Sequence, residues 1–358
     1  MGLLNQSQSA KYKPGRDTLL SLPKIEVHRH LEGTYPIESL FRMSLKNKLD
    51  VPQEFVAFKE AFQFPKNHPP DFLLFLSKFK KFWYKTMDDV STIAYDSVKS
   101  FSEENLHYIE LRFNPLHFTA ETNFDPKEVT RTIIDASNAA AKEIGLSIRY
   151  LLTFNRSVQT AQEMLETYKE LHKIDLSGVV GIDLAGDELN YPPELFVPFF
   201  DAVHSDKHYG IDIHAGEVTD SKGMWTSINE LHATRIGHGV ASIDDKEIQT
   251  VLHDKGIFLA QCITSNYQTG AWKDEKTHPM KRLIENGVPI NISSDDPTIQ
   301  DSLLTDDYEK ALDNYGWTLD DLIDSNLRSV EGCFLTSDEK SALRASYSQA
   351  IREFKSQI

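Results

Sequence analysis

Cysteine is nearly absent from this 358-residue chain, which carries only Cys262 and Cys333. Two thiols exclude a disulfide framework and a cysteine-rich zinc site. Positive charge is also short: 38 Lys and Arg face 54 Asp and Glu, a formal charge of −16. So acidic a molecule does not attract a phosphate backbone, which argues against nucleic acid as a partner. No apolar run approaches the ~20 residues that cross a bilayer. The opening MGLLNQSQSAKYKPGRD lacks the basic start and apolar stretch of an export signal. Gln6 stands where an N-myristoylation pattern wants Ser or Thr. The expectation is a cytoplasmic protein with no membrane partner. Residues 1–23 are expected to be a polar tail and 24–358 a single domain. No motif fixes the oligomeric state, and a monomer is slightly favoured.

Hydrophobic residues make up 40% of the chain, enough for a sizeable core. Periodicity places strands at 24–28, 107–113, 148–154, 179–185, 210–214, 234–239, 257–262 and 288–294. Most are continuous apolar runs, as parallel strands covered by helices require. Segments between them, such as 126–145 and 158–174, carry apolar residues at helical spacing. Eight alternations predict an α/β fold, a (β/α)8 TIM barrel. The stretch 34–105 is too long for one crossover helix. Its part DFLLFLSKFKKFWY (71–84) reads as helical core or as a partial lid over a pocket. Residues 316–356 read as closing helices.

In such a barrel the C-terminal strand ends carry the chemistry. Of the 13 histidines, several fall there. VHRHLEG ends the first strand with His28 and His30 two residues apart, so an extended backbone points both imidazoles one way. GIDIHAGE puts His214 at the fifth strand end, with Glu217 three residues on. TRIGHG puts His238 at the sixth, and INISSDDP puts Asp295 and Asp296 after the eighth. Taken alone, an Asp-Asp-Pro is a helix cap and an isolated His a solvated residue. Converging on one rim, so many titratable groups cost too much to bury unless a metal or a reaction uses them.

The set reads as a mononuclear hydrolytic site. His28, His30, His214 and Asp295 would hold the ion, lowering the pKa of a bound water toward ~7. His238 would orient that water or shuttle its proton, and Glu217 would protonate the substrate. Catalytic zinc usually takes three protein ligands, so spacing alone leaves either His238 or Asp295 in question as the fourth.

The motifs HRHLEG, DLAGDE, HAGE, RIGHG, SNYQTGAW and SSDDP, in this order, resemble the adenosine/adenine/AMP deaminase family of zinc hydrolases. The resemblance implies a (β/α)8 barrel, one Zn2+, and replacement of a purine 6-amino group by oxygen with release of ammonia. It implies His28, His30, His214 and Asp295 as ligands, Glu217 as the acid at purine N1, and His238 as the group positioning the attacking hydroxide. It further implies that Asp296 meets N7, that the Gly186 amide meets N3, and that Glu32 faces the ribose 5′-hydroxyl. Deaminases acting on bases in nucleic acid carry HxE with PCxxC, and this chain has no CxxC. Relatives with two ions bridged by a modified lysine need Lys at the fourth strand end, where VVGIDLAG has none.

The implied substrate is a small purine nucleoside, adenosine or 2′-deoxyadenosine. The alternatives are adenine, because the family's adenosine deaminases usually carry Asp where this chain has Glu32, and an AMP-type substrate. A carboxylate at 32 would repel a 5′-phosphate, and the matched motifs hold no compensating Lys/Arg cluster. A non-catalytic, partner-binding relative is the other class, but such proteins lose the acid or a ligand first, and all are present. Arg112 reads as a pocket residue or a structural ion pair, Phe75 and Phe79 as a ribose wall or core. Trp272 reads as a cover or a rim shield, and Cys262 as an inert buried thiol.

Overall fold

The computed structural model describes residues 13–358. Eight strands form the centre: β1 (Lys24–His30), β2 (Leu106–Phe113), β3 (Ser147–Asn155), β4 (Val179–Ala185), β5 (Gly210–Ala215), β6 (Arg235–His238), β7 (Phe258–Gln261) and β8 (Ile290–Ile292). Each pairs in parallel with the next in sequence. All eight lie on the segments that periodicity marked, and β8 is shorter than expected. The sheet is brought round by backbone bonds beyond β8. Asp295 N–H donates to the His28 carbonyl at 2.9 Å, and His30 N–H donates to the Asp295 carbonyl at 3.0 Å. The result is the expected (β/α)8 barrel. β1 is buried along its whole length because helices cover its outer face and the barrel fills its inner one.

The helices follow their local signals. Pro126–Ile144 opens with Asp125 as N-cap and Pro at N1, and closes on the left-handed Gly145. Ala161–Leu171 carries a capping box from Thr160 and Glu163. Leu319–Gly332 and Ser337–Lys355 are the closing helices. Among the described residues, no helix is long and apolar enough to cross a membrane.

Two expectations need correction. Residues 1–12 of the expected tail lie outside the described residues, but Arg16–Ser21 is a helix with Leu19 buried. Its anchor is Lys24, whose fully buried ammonium donates to the carbonyls of Leu19, Leu22 and Glu104 at 2.6, 2.9 and 2.6 Å. Burial pushes that ammonium down to about 7. In the stretch 71–84 only Phe72–Leu76 is helical. Its aromatic residues divide between two destinations, Trp83 and Tyr84 in the main core and Phe72, Phe75 and Phe79 at a cavity, which one regular helix would not serve.

Below the strand ends lies a buried ionic layer. Arg112 reaches Asp183 at 3.1 Å and Asp212 at 2.7 Å, and Arg235 reaches Asp212 at 2.8 Å and Glu110 at 2.6 Å. All five side chains are fully buried. Arg112 is therefore the structural ion pair of its two readings. Removing one partner of a buried network leaves a charge uncompensated. Arg235→Met is expected to cost about 3–5 kcal/mol, measured as a lower urea midpoint with the m-value unchanged.

Candidate active site

The site is assembled where the barrel closes. His28 and His30 come from the end of β1, with a register irregularity between Glu26 and Arg29. Glu26 manages that irregularity: its carboxylate accepts from His28 N–H at 3.0 Å and from Ser294 N–H and Oγ at 3.0 and 2.7 Å. One buried side chain thus ties β1 to the segment that carries Asp295. Asp295 and His238 both adopt left-handed backbone, with φ of 65° and 62°. Such strain at non-glycine residues persists only where surrounding contacts impose it.

One ligand atom each from His28, His30, His214 and Asp295 lies within 4.8 Å of all the others, and all four residues are buried. His28 Nε2 and His30 Nε2 each stand 3.3 Å from Asp295 Oδ1, and His30 Nε2 is 3.1 Å from His214 Nε2. Neither ring nitrogen of fully buried His28 has a hydrogen-bond partner. Burial holds the His28 and His30 imidazoles below their usual range, so their lone pairs are available. Burial alone would raise the Asp295 carboxyl, but the facing histidines keep it well below its usual range. Three imidazoles and one carboxylate suit a borderline divalent cation, and an orphaned buried imidazole is the mark of a ligand. The residues fit one metal ion. Of the two doubtful ligands, Asp295 joins this group, while His238 belongs to a second cluster with Cys262 and Asp295.

A cavity of about 420 Å3 opens above these atoms. Glu217, Asp296, Glu32 and Gly186 line it at the polar end, and Phe72, Phe75, Leu76 and Phe79 form an apolar wall. Phe75 is also packed on Phe64 and Ile299, so it serves wall and core at once. Glu217 is buried, 3.6 Å from His238 Nε2, and burial with the negative charges of Asp295 and Glu188 pushes its carboxyl well up. Burial likewise pushes His238 down to about 3 and Glu32 up to about 8. Glu32 Oε1 accepts from Asn114 N–H at 2.6 Å. Asp296 is raised by burial and by neighbouring Asp295. A Cβ on Gly33 would sit 1.7 Å from Asp296 Oδ1, so glycine at 33 is the condition for Asp296 to stand there.

The sequence model of the family described as Adenosine deaminase matches residues 23–349. The chain belongs to this family. It is a deaminase, a hydrolase. An adenosine deaminase of Aliivibrio fischeri is 33% identical over 331 residues, covering 90% of this chain and 97% of the relative. An amidohydrolase from Burkholderia ambifaria, solved with bound Zn, superposes with a TM-score of 0.86 at 22% identity, covering 98% and 96% of the two chains. An adenine deaminase from Arthrobacter aurescens gives 0.84 at 20% identity, covering 92% and 99%. The two structures show the shared fold.

Several residues around the deaminase site escaped the motif reading. Asp183 Oδ1 is 3.0 Å from His214 Nδ1, which also meets the Leu184 carbonyl at 3.1 Å. This leaves His214 Nε2 turned toward His30. Asn266 donates to His238 Nδ1 at 3.0 Å, leaving Nε2 to face Glu217. Among the described residues lining the cavity, Lys81 is the one Lys or Arg. The alternation of β4 was the available signal for Asp183, since residues two apart share the barrel's inner face. Lys81 had none, lying in irregular chain between helices. Trp272 donates to Thr277 Oγ1 at 3.1 Å and lines not the main cavity but a neighbouring one that also reaches Glu217. Cys262 is fully buried and its thiol is pushed well up by burial.

Groups that orient a ligating histidine typically change metal affinity ~10–100-fold when lost. Asp183→Asn is therefore expected to weaken divalent-ion binding by about that factor, read by competition with a chelating dye. His214→Ala should abolish stoichiometric metal in the purified protein, and full occupancy in elemental analysis would remove His214 from the ligand set.

Proposed function

We propose that the protein hydrolyses adenosine, and 2′-deoxyadenosine, to the 6-oxo nucleoside and ammonia, with one Zn2+ held by His28, His30, His214 and Asp295. The observation that carries this reading is the pairing of a four-residue metal group with a buried, proton-retaining Glu217 across one cavity. The donor set suits zinc, and the Burkholderia ambifaria neighbour carries it. When bound, the ion supplies a water activated near neutral pH.

The protein's own residues supply the rest. Water attack at purine C6 pushes an electron pair onto N1, and Glu217 donates its proton there. Retention of that proton by burial is what a general acid needs at neutral pH. His238, neutral because it is buried, sits 3.6 Å from Glu217 and is grouped with Asp295, where it would accept the proton of the attacking water. That proton then goes to the leaving amino group, and as ammonia departs the new 6-hydroxyl returns its proton to Glu217, so water and purine become ammonia and the 6-oxo purine in balance. Asp296, kept protonated, can donate to N7, and the Gly186 amide to N3. Gly186 has a φ of 103°, and a Cβ there would lie 2.5 Å from Asn155 Oδ1.

Support for a nucleoside over a free base comes from the apolar wall of Phe72, Phe75, Leu76 and Phe79, which lines the cavity together with the polar groups. It comes also from the 33%-identical relative named adenosine deaminase. Glu32, a residue of the polar end, supports adenine as the second reading if its longer side chain crowds the sugar. Lys81 supplies a cation that the motifs lacked, so a 5′-phosphorylated substrate belongs in the same comparison.

The deciding measurement is kcat/KM for adenosine, adenine and AMP with the zinc-loaded enzyme. Adenosine is expected to exceed both others at least about tenfold, a difference of about 1.4 kcal/mol in transition-state binding. A preference for adenine would overturn the substrate and leave the mechanism. Glu217→Gln should retain zinc and lose about 10²–10⁴ in kcat, and near-normal turnover would remove Glu217 from the acid's role.

A further inference from the structure

Glu217 sits on a short turn after β5, a place where an acid could move by an ångström and lose its aim. The turn is held by a residue from another strand end. Glu188, following β4, is buried, and its two carboxylate oxygens accept three backbone N–H groups around Glu217. Oε2 accepts from Gly216 at 3.0 Å, and Oε1 from Val218 at 2.5 Å and Thr219 at 3.0 Å. The N–H groups before and after Glu217 are thus fixed to one side chain. A carboxylate accepting several N–H bonds in a low-dielectric site makes strong, directional contacts.

We propose that Glu188 is a positioning residue for the acid step: it fixes the turn that carries Glu217 and sets a carboxylate beside it. The inference rests on Glu217 acting as the acid. Its electrostatic half has a built-in counterpart. Arg156, fully buried, donates to the His214 carbonyl at 2.6 Å and acts on Glu217 with the opposite sign. The charged and titratable groups facing Glu217 are Asp295, Asp296, Glu188, Arg156, His238 and Cys262. Burial, Asp295 and Glu188 raise its carboxyl, and Arg156 lowers it. Glu188 and Arg156 therefore pull in opposite directions on one proton.

The signs follow. An acid works only while protonated, so kcat falls as pH rises through its pKa in the complex. Glu188→Gln removes a negative charge, lowers that pKa, and moves the alkaline limb of kcat to lower pH. Arg156→Gln removes a positive charge and moves the same limb to higher pH. The experiment is the kcat–pH profile of the zinc-loaded wild type, E188Q and R156Q with saturating adenosine, alongside KM, zinc content and thermal unfolding. The expected result is displacement of the alkaline limb by about half a pH unit or more in opposite directions. E188Q should also lose about tenfold or more in kcat with KM changed less than about threefold. Glu188→Asp, which keeps the charge on a shorter stem, should restore the limb but not the full rate. A folded, zinc-replete E188Q whose limb stays in place would overturn the proposal. If E188Q does not fold, a zinc-replete E188D that turns over at the wild-type rate, with an unmoved limb in R156Q, would do so. Should Glu217→Gln turn over normally, the acid assignment itself fails, which is a separate outcome.

Discussion

The site depends on how the barrel closes. In the described structure the last link between β8 and β1 runs through Asp295, whose N–H and carbonyl bond to His28 and His30 on either side. The same three residues supply three of the four groups aimed at the metal position. Closure and metal binding are thus one construction. Without that pairing Asp295 has no fixed distance to either imidazole, and its left-handed φ of 65° has nothing to impose it. Glu26 reinforces the join from within β1 by holding Ser294, so the carboxylate at the centre of the site arrives on a braced backbone. Ordering achieved by the fold need not be supplied again when the ion and substrate bind.

Beneath that rim the ionic layer of Arg112, Arg235, Asp183, Asp212 and Glu110 connects β2, β4, β5 and β6. Asp183 belongs to both levels, paired with Arg112 below and aimed at His214 Nδ1 above. The Arg112 charge holds Asp183 ionised despite burial, and an ionised Asp183 fixes which face of His214 is turned to the cavity. A network that would be only a costly interior feature elsewhere here sets the orientation of a ligand.

Much of this was legible in the chain because the signals were local. Eight short apolar runs bounded by helical periodicity gave the barrel, and polar residues at the strand ends gave His28, His30, His214, His238 and Asp295. What stayed hidden depends on contacts between segments distant in sequence. Lys24 orders the helix Arg16–Ser21 by collecting carbonyls from two segments, and nothing in the local pattern marks it as a buried ammonium. Glu188 was inside a quoted motif, yet its bonds to residues 216–219 appear only when the fourth and fifth strand ends meet. The aromatic stretch 71–84 misled for a related reason. Its spacing fits a helix, but the cavity and the core draw its side chains apart, and tertiary packing overrides propensity.

Of the five carboxyl groups that line the cavity, Glu32, Glu217, Asp295 and Asp296 are divided by their environments. Asp295 faces imidazoles and is held ionised, directed at the metal position. Glu217 and Asp296 are buried and Glu32 is half-buried, none with a direct cationic partner, and each is pushed toward its protonated form. Had all four been ionised, mutual repulsion at this depth would oppose folding of the rim. Had all been neutral, the ion would lose its one anionic ligand. The observed division leaves one ionised carboxylate in the metal group and three proton-bearing carboxyls facing the cavity. Chemically identical side chains thus take opposite roles according to what the barrel end places beside them. That is why residue type alone identified the group but could not distribute its work.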